Sequence, residues 1–80
     1  MKKTIKINTP DQIKNFVRLA QQMECDVLVT SGKYTVDAKS ILGIYSLSLS
    51  EPVDVELIER DYQEKDAFLN GLIELGIIVE

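Results

Sequence analysis

Thr9-Pro10-Asp11-Gln12 brings a hydroxyl, a carboxylate and a side-chain amide together in four consecutive residues. A hydroxyl can carry or transfer a group only with a base or a cation beside it, and the composition restricts the choice of base. The 80 residues include no histidine. Imidazole bases, phosphohistidine, His-ligated metals and His-dependent serine or cysteine triads are therefore excluded by counting. The same four residues make a helix start. Thr9 is a good N-cap, Pro10 sits where a missing N–H costs nothing, Gln12 completes a Thr-x-x-Gln capping box, and Asp11 favours the positive end of the helix dipole. That reading accounts for all four together.

Ser40 is a second hydroxyl at a helix start, with Lys39 as a countercharge. A phosphate added there would meet free N–H groups and the positive dipole end, and a capping role explains the same placement. Cys25 cannot form an internal disulfide, and a lone thiol suits a reducing compartment, so the cytoplasm is expected. With apolar neighbours alternating after it and no cation beside it in sequence, Cys25 is expected to be a small buried residue and not a redox thiol. Asp61, Glu64 and Asp66 suggest a divalent-ion site or an acid/base pair at first sight. A solvated acidic helix start explains them without a ligand, and neither a metal nor a cofactor is expected. Gly32 and Gly43 belong to no phosphate-binding loop.

The elements that must position these residues follow from periodicity. Thr4 to Ile7 alternates with Ile5 and Ile7 on one side, giving a first strand. Ile13, Phe16, Val17 and Ala20 form the stripe of an amphipathic helix over 10–23. Cys25 to Thr30 and Tyr34 to Val36, joined by Ser31-Gly32-Lys33, read as a hairpin. A short helix opens at Asp37-Ala38-Lys39-Ser40. Its apolar residues, Ile41, Leu42, Ile44, Tyr45, Leu47 and Leu49, are too many for one stripe, so Ile44 and Leu47 are assigned to the core while Leu42 and Tyr45 remain available to a partner. After Ser50-Glu51-Pro52, Val53, Val55 and Leu57 mark a strand with one solvated face. Asp61 to Asp66 opens a last helix that carries Phe68, Leu69, Leu72, Ile73 and Leu75 to a cap at Gly76. The order β-α-β-β-α-β-α belongs to an α+β domain. Ile77-Ile78-Val79 is a β-prone tail that could dock on the sheet or support self-association.

Nine basic against thirteen acidic residues give a net charge of -4, which disfavours nucleic acid as a partner. The first twenty residues are nonetheless net +4 and the last thirty net -7, so a local basic face is possible. Asn8, Pro10 and Asp11 interrupt the apolar run that a signal peptide would need, and no window reaches the length of a membrane span, so membrane insertion is not expected. The chain reads as one domain, residues 1–80.

Val36-Asp37-Ala38-Lys39-Ser40-Ile41-Leu42-Gly43-Ile44-Tyr45-Ser46-Leu47 resembles the second-helix motif of HPr, the phosphocarrier of the bacterial phosphoenolpyruvate:sugar phosphotransferase system. Lys-Ser-Ile-Leu-Gly is its specific core. The likeness runs without gaps from Phe16-Val17-Arg18-Leu19-Ala20 through Gly32 to Ala67-Phe68 and Leu72. It implies an HPr-like open-faced β-sandwich, a four-stranded antiparallel sheet with three helices on one face. HPr proteins carry their phosphoryl group on a histidine in a motif resembling Gly-x-His-Ala-Arg-Pro. Here Thr9 stands at the histidine's place and Asp11 at the arginine's, and a carboxylate there would repel a phosphoryl group by up to roughly 1 kcal/mol at a solvated 4 Å.

The resemblance implies that Ser40 matches the serine modified by HPr kinase. It also matches Ile41, Leu42 and Tyr45 to the patch that engages enzyme I, sugar permease domains and a catabolite-control regulator. The function expected is a non-enzymatic regulatory or adaptor module of the phosphotransferase system, without a catalytic residue. The alternatives are a phosphocarrier that uses an unconventional residue such as Thr9, and a structural subunit oligomerising through Ile77, Ile78 and Val79.

Overall fold

The structure is a computed structural model that describes residues 1–59 and 63–80. The elements are β1 (Lys2–Ile5), α1 (Pro10–Gln21), β2 (Asp26–Ser31), β3 (Tyr34–Asp37), α2 (Ile41–Tyr45), β4 (Val53–Ile58) and α3 (Gln63–Leu75). The expected order holds. Asp61, placed by sequence in the first turn of the last helix, lies outside the described residues.

The sheet has the order β1-β4-β2-β3, with each neighbouring pair antiparallel. Alternation in β4 sends Val53, Val55 and Leu57 to the helix side, and Ile5, Val27 and Val29 join them from the flanking strands. Asp54 and Glu56 lie on the open side, where Thr4 donates a 2.8 Å hydrogen bond to Asp54 Oδ1. The helices close the core from the other side. Phe16 and Ala20 from α1, Ile44 from α2, and Phe68 and Leu72 from α3 have no exposed surface. A Cβ built on Gly71 would lie 2.5 Å from Leu19 Cδ1, so the Leu19 side chain of α1 lies over this glycine and would have to shift for any larger residue.

The boundaries differ from the sequence reading where tertiary hydrogen bonds decide them. β1 begins at Lys2, because pairing with β4 continues to Lys2 opposite Glu56, and it ends at Ile5 while Ile7 is buried beyond it. α1 ends at Gln21, two residues early. The second helix does not open at Asp37. The Ala38 N–H is taken by Val27 O at 2.8 Å, the Lys39 N–H by Asp37 Oδ1 at 2.9 Å and the Ser40 N–H by Asp37 O at 3.1 Å, so this stretch is a turn and the helix starts after Ser40. Leu47 and Leu49 follow the helix and pack against the core from the connection to β4. Ile73 is exposed on the outer side of α3, beside Lys3, Leu69 and Ile78.

Gly76, with φ +68°, turns the chain out of α3 through the left-handed region that favours glycine. The tail then docks on its own sheet. Lys6 N–H donates to Ile77 O at 2.8 Å, Val79 N–H donates to Thr4 O at 2.9 Å, and Ile78 bridges Ile5. Ile77 is buried, and the backbone groups that a second chain would need for strand addition are partly spent on β1.

Candidate functional site

Among the described residues, the hydroxyl and acidic residues singled out by sequence fall in three places: the start of α1, the start and outer face of α2, and a cluster joining α3 to the loop after α1.

At the first, Thr9 has extended backbone geometry and its hydroxyl accepts the Gln12 N–H at 3.1 Å, as an N-cap does. The reciprocal half of the capping box is shifted by one residue: Gln12 Oε1 accepts the Asn8 N–H at 2.6 Å. Thr9 and Pro10 line a shallow cavity of about 320 Å³ with Lys6, Asn8, Leu49 and Ser50. Asp11 is exposed on the first turn and does not line it. The cation in the wall is Lys6, which sequence reasoning did not single out. Its ammonium donates to Asn8 Oδ1 at 2.8 Å, to Leu49 O at 2.9 Å and more weakly to Ile7 O at 3.3 Å. An ammonium has three donors, and these contacts occupy all of them, tying β1's exit to the chain that follows α2. Thr9→Ala should cost about 1 kcal/mol through the lost cap, read by urea unfolding. An unchanged midpoint would show that the cap contributes nothing.

At the second, Ser40 is an exposed N-cap whose hydroxyl accepts the Gly43 N–H at 3.1 Å. Ile44 anchors the five-residue helix in the core while Leu42 is 79% exposed and Tyr45 53% exposed; Ile41, at 39%, is at the margin. The helix closes with Ser46 Oγ donating to Gly43 O at 2.6 Å. From Ser40 to Ser50 no side chain is charged, so the exposed face is apolar with a hydroxyl rim.

In the third, Glu64 is more than a solvated acid. Its carboxylate accepts the Glu24 N–H at 2.7 Å and 3.0 Å through its two oxygens, the Cys25 N–H at 2.9 Å and the Cys25 thiol at 2.8 Å. These hydrogen bonds, the thiol's foremost, hold the Glu64 carboxyl below its ordinary value. Burial, then the hydrogen bond to Glu64 and its negative charge, push the Cys25 thiol up to about 11. Lys39 is the nearby cation that the sequence did not reveal, and it offsets only part of that rise. Cys25 is buried immediately before β2. Among the described residues no group of three or more His, Cys, Asp or Glu side chains is placed to hold a metal ion, and no helix is long and apolar enough to cross a membrane.

A family model described as the PTS HPr component phosphorylation site matches residues 3–75. HPr-C-His from Thermoanaerobacter tengcongensis is 25% identical, with a TM-score of 0.74 over 94% of this chain and 93% of that one. The histidine-containing phosphocarrier protein of Mycoplasma superposes with a TM-score of 0.73 at 10% identity, over 100% of this chain and 98% of its own. The phosphocarrier protein HPr from Bacillus anthracis str. Ames gives 0.65 at 21% identity, over 91% and 93% respectively. No curated protein matches the sequence.

Proposed function

Since the chain belongs to the HPr family of the phosphotransferase system, we propose that it keeps the family's docking face on α2 and does not carry a phosphoryl group for transfer at α1, acting in the cytoplasm as a regulatory or adaptor module and not as an enzyme. The observation that carries this reading is the contrast between the two helix starts. At α1, where the family resemblance puts a phosphohistidine, the sequence supplies Thr9 in a chain without any imidazole, and the adjacent Lys6 ammonium has its donors engaged internally. At α2, Leu42 and Tyr45 stand out from a helix pinned by Ile44, and apolar docking needs no histidine.

Phosphoryl capture on a histidine draws on helix N–H groups and a cation that strengthens the charge-assisted hydrogen bonds. The Thr9 hydroxyl would give an alkyl phosphate, which lacks the transfer potential of a phosphoramidate. Partners of this face are proteins that dock on HPr: enzyme I, permease domains or a catabolite regulator. Ser40 is the proposed acceptor for HPr kinase, because its exposed hydroxyl already receives a helix N–H that phosphate oxygens can receive in turn.

Incubation with phosphoenolpyruvate, Mg²⁺ and a competent enzyme I is expected to leave the intact mass unchanged while the two proteins still associate. Stoichiometric gain of a phosphoryl group, lost in Thr9→Ala, would overturn the proposal.

A further inference from the structure

The Glu64 cluster lies outside the α1 cavity and the α2 face, yet hydrogen bonds connect it to the latter. The loop Met23-Glu24-Cys25 is gripped from two directions. From α3, the Glu64 carboxylate holds the Glu24 and Cys25 N–H groups and the Cys25 thiol. From the turn before α2, Lys39 Nζ donates to Met23 O at 2.7 Å. Lys39 is itself clamped, its N–H by Asp37 Oδ1 at 2.9 Å and its carbonyl by Gln21 Nε2 at 3.0 Å. The next residue is Ser40, whose hydroxyl and carbonyl receive the Gly43 and Ile44 N–H groups that begin α2.

We propose that Glu64 is a positioning residue for the second helix: a hydrogen-bonded relay from its carboxylate through the 23–25 loop and Lys39 fixes the turn that presents Ser40 and the start of α2.

Beside the core anchors Met23, Cys25, Ala38 and Ile44, hydrogen bonds set the course of these segments. A helix of five residues is too short to be stable alone and takes its geometry from what it is attached to. The loop after α1 ends two of its N–H groups on one carboxylate, which supplies charge-assisted bonds where a neutral acceptor would supply weaker ones. With Met23 and Cys25 both buried, a shift of the loop backbone moves the carbonyl to which Lys39 is bound. Any event that displaces the first turn of α3 is thereby felt at Ser40, whether α2 serves docking, phosphorylation or neither.

Amide hydrogen exchange by NMR on the full chain at pH 7 tests the relay. In Glu64→Gln, the Glu24 and Cys25 amides should exchange at least roughly tenfold faster, and those of Gly43 and Ile44 at least roughly threefold faster, with Val55 in the central sheet unchanged. Asp66→Asn, which removes a charge from the same turn without touching the loop, should leave all five as they were. Lys39→Met cuts the relay downstream and is the deciding variant if Glu64→Gln loosens the whole domain: Gly43 and Ile44 should accelerate while Glu24 and Cys25 stay protected. Gly43 and Ile44 amides that keep their rates to within about twofold in Lys39→Met, or that move only in step with Val55, would overturn the proposal.

Discussion

Phe68→Ala is expected to lower the thermal midpoint by roughly 15–30 °C, enough to unfold much of the population at 37 °C. Phe68 has no exposed surface and, among the described residues, is one of the two largest fully buried side chains, the other being Phe16 on α1. Truncating a buried phenylalanine to alanine costs about 3–5 kcal/mol, from lost apolar burial and the cavity left behind. A domain of this length has on the order of 4–12 kcal/mol of stability to lose. Circular dichroism melts measure the shift. Leu42→Ala is the comparison: with its side chain 79% exposed it should change stability by no more than about 0.5 kcal/mol. Equal effects of the two substitutions would mean that the core is not organised around α3 as described.

The Cys25 thiol is expected to be alkylated at pH 8 about a hundredfold more slowly in the folded chain than in the unfolded one. The thiolate is the nucleophile. At the thiol's ordinary value of 9.0 about a tenth is ionised at pH 8, whereas at about 11 only about a thousandth is. Burial adds a steric barrier to the same effect. Glu64→Gln removes the negative charge that helps to raise the thiol and should recover part of the rate without reaching the unfolded limit, because burial, the largest cause, remains. The folded value lies above the ordinary one, so the stability associated with the protonated thiol is intact below pH 9 and lost as pH rises towards 11. Cys25→Ala should abolish that alkaline component. Rapid alkylation of native protein, measured by mass spectrometry, would contradict the Cys25–Glu64 hydrogen bond.

Much of the fold was legible because its determinants are local or periodic. The stripe at Ile13, Phe16, Val17 and Ala20 and the alternation at Val53, Val55 and Leu57 record which face is buried, and all seven residues are in the core. What escaped depended on partners distant in sequence. Nothing around Lys2 announces a strand until β4 lies beside it. Asp37-Ala38-Lys39 looks like the opening of a helix, but Val27, on the neighbouring strand and up to roughly 36–40 Å away along an extended chain, supplies the carbonyl that takes the Ala38 N–H. At the candidate sites, the capping roles of Thr9 and Ser40 were readable from their neighbours. Lys6 and Glu64 were not, since one is an unremarkable lysine beside a strand and the other one acid among several; their partners are 43 and 39–40 residues away. A polar residue between two buried positions, as Lys6 is between Ile5 and Ile7, is the one signal that could have drawn attention beforehand.

The proposal of docking without phosphoryl transfer is tested most directly by following the amide spectrum of isotope-labelled chain during titration with enzyme I, before and after phosphoenolpyruvate is added. Perturbations centred on Ile41, Leu42 and Tyr45 that stay the same when phosphoenolpyruvate is supplied are the predicted result. A phosphoenolpyruvate-dependent shift of Thr9 and its neighbours at the start of α1, or no perturbation of α2 at any ratio, would contradict it.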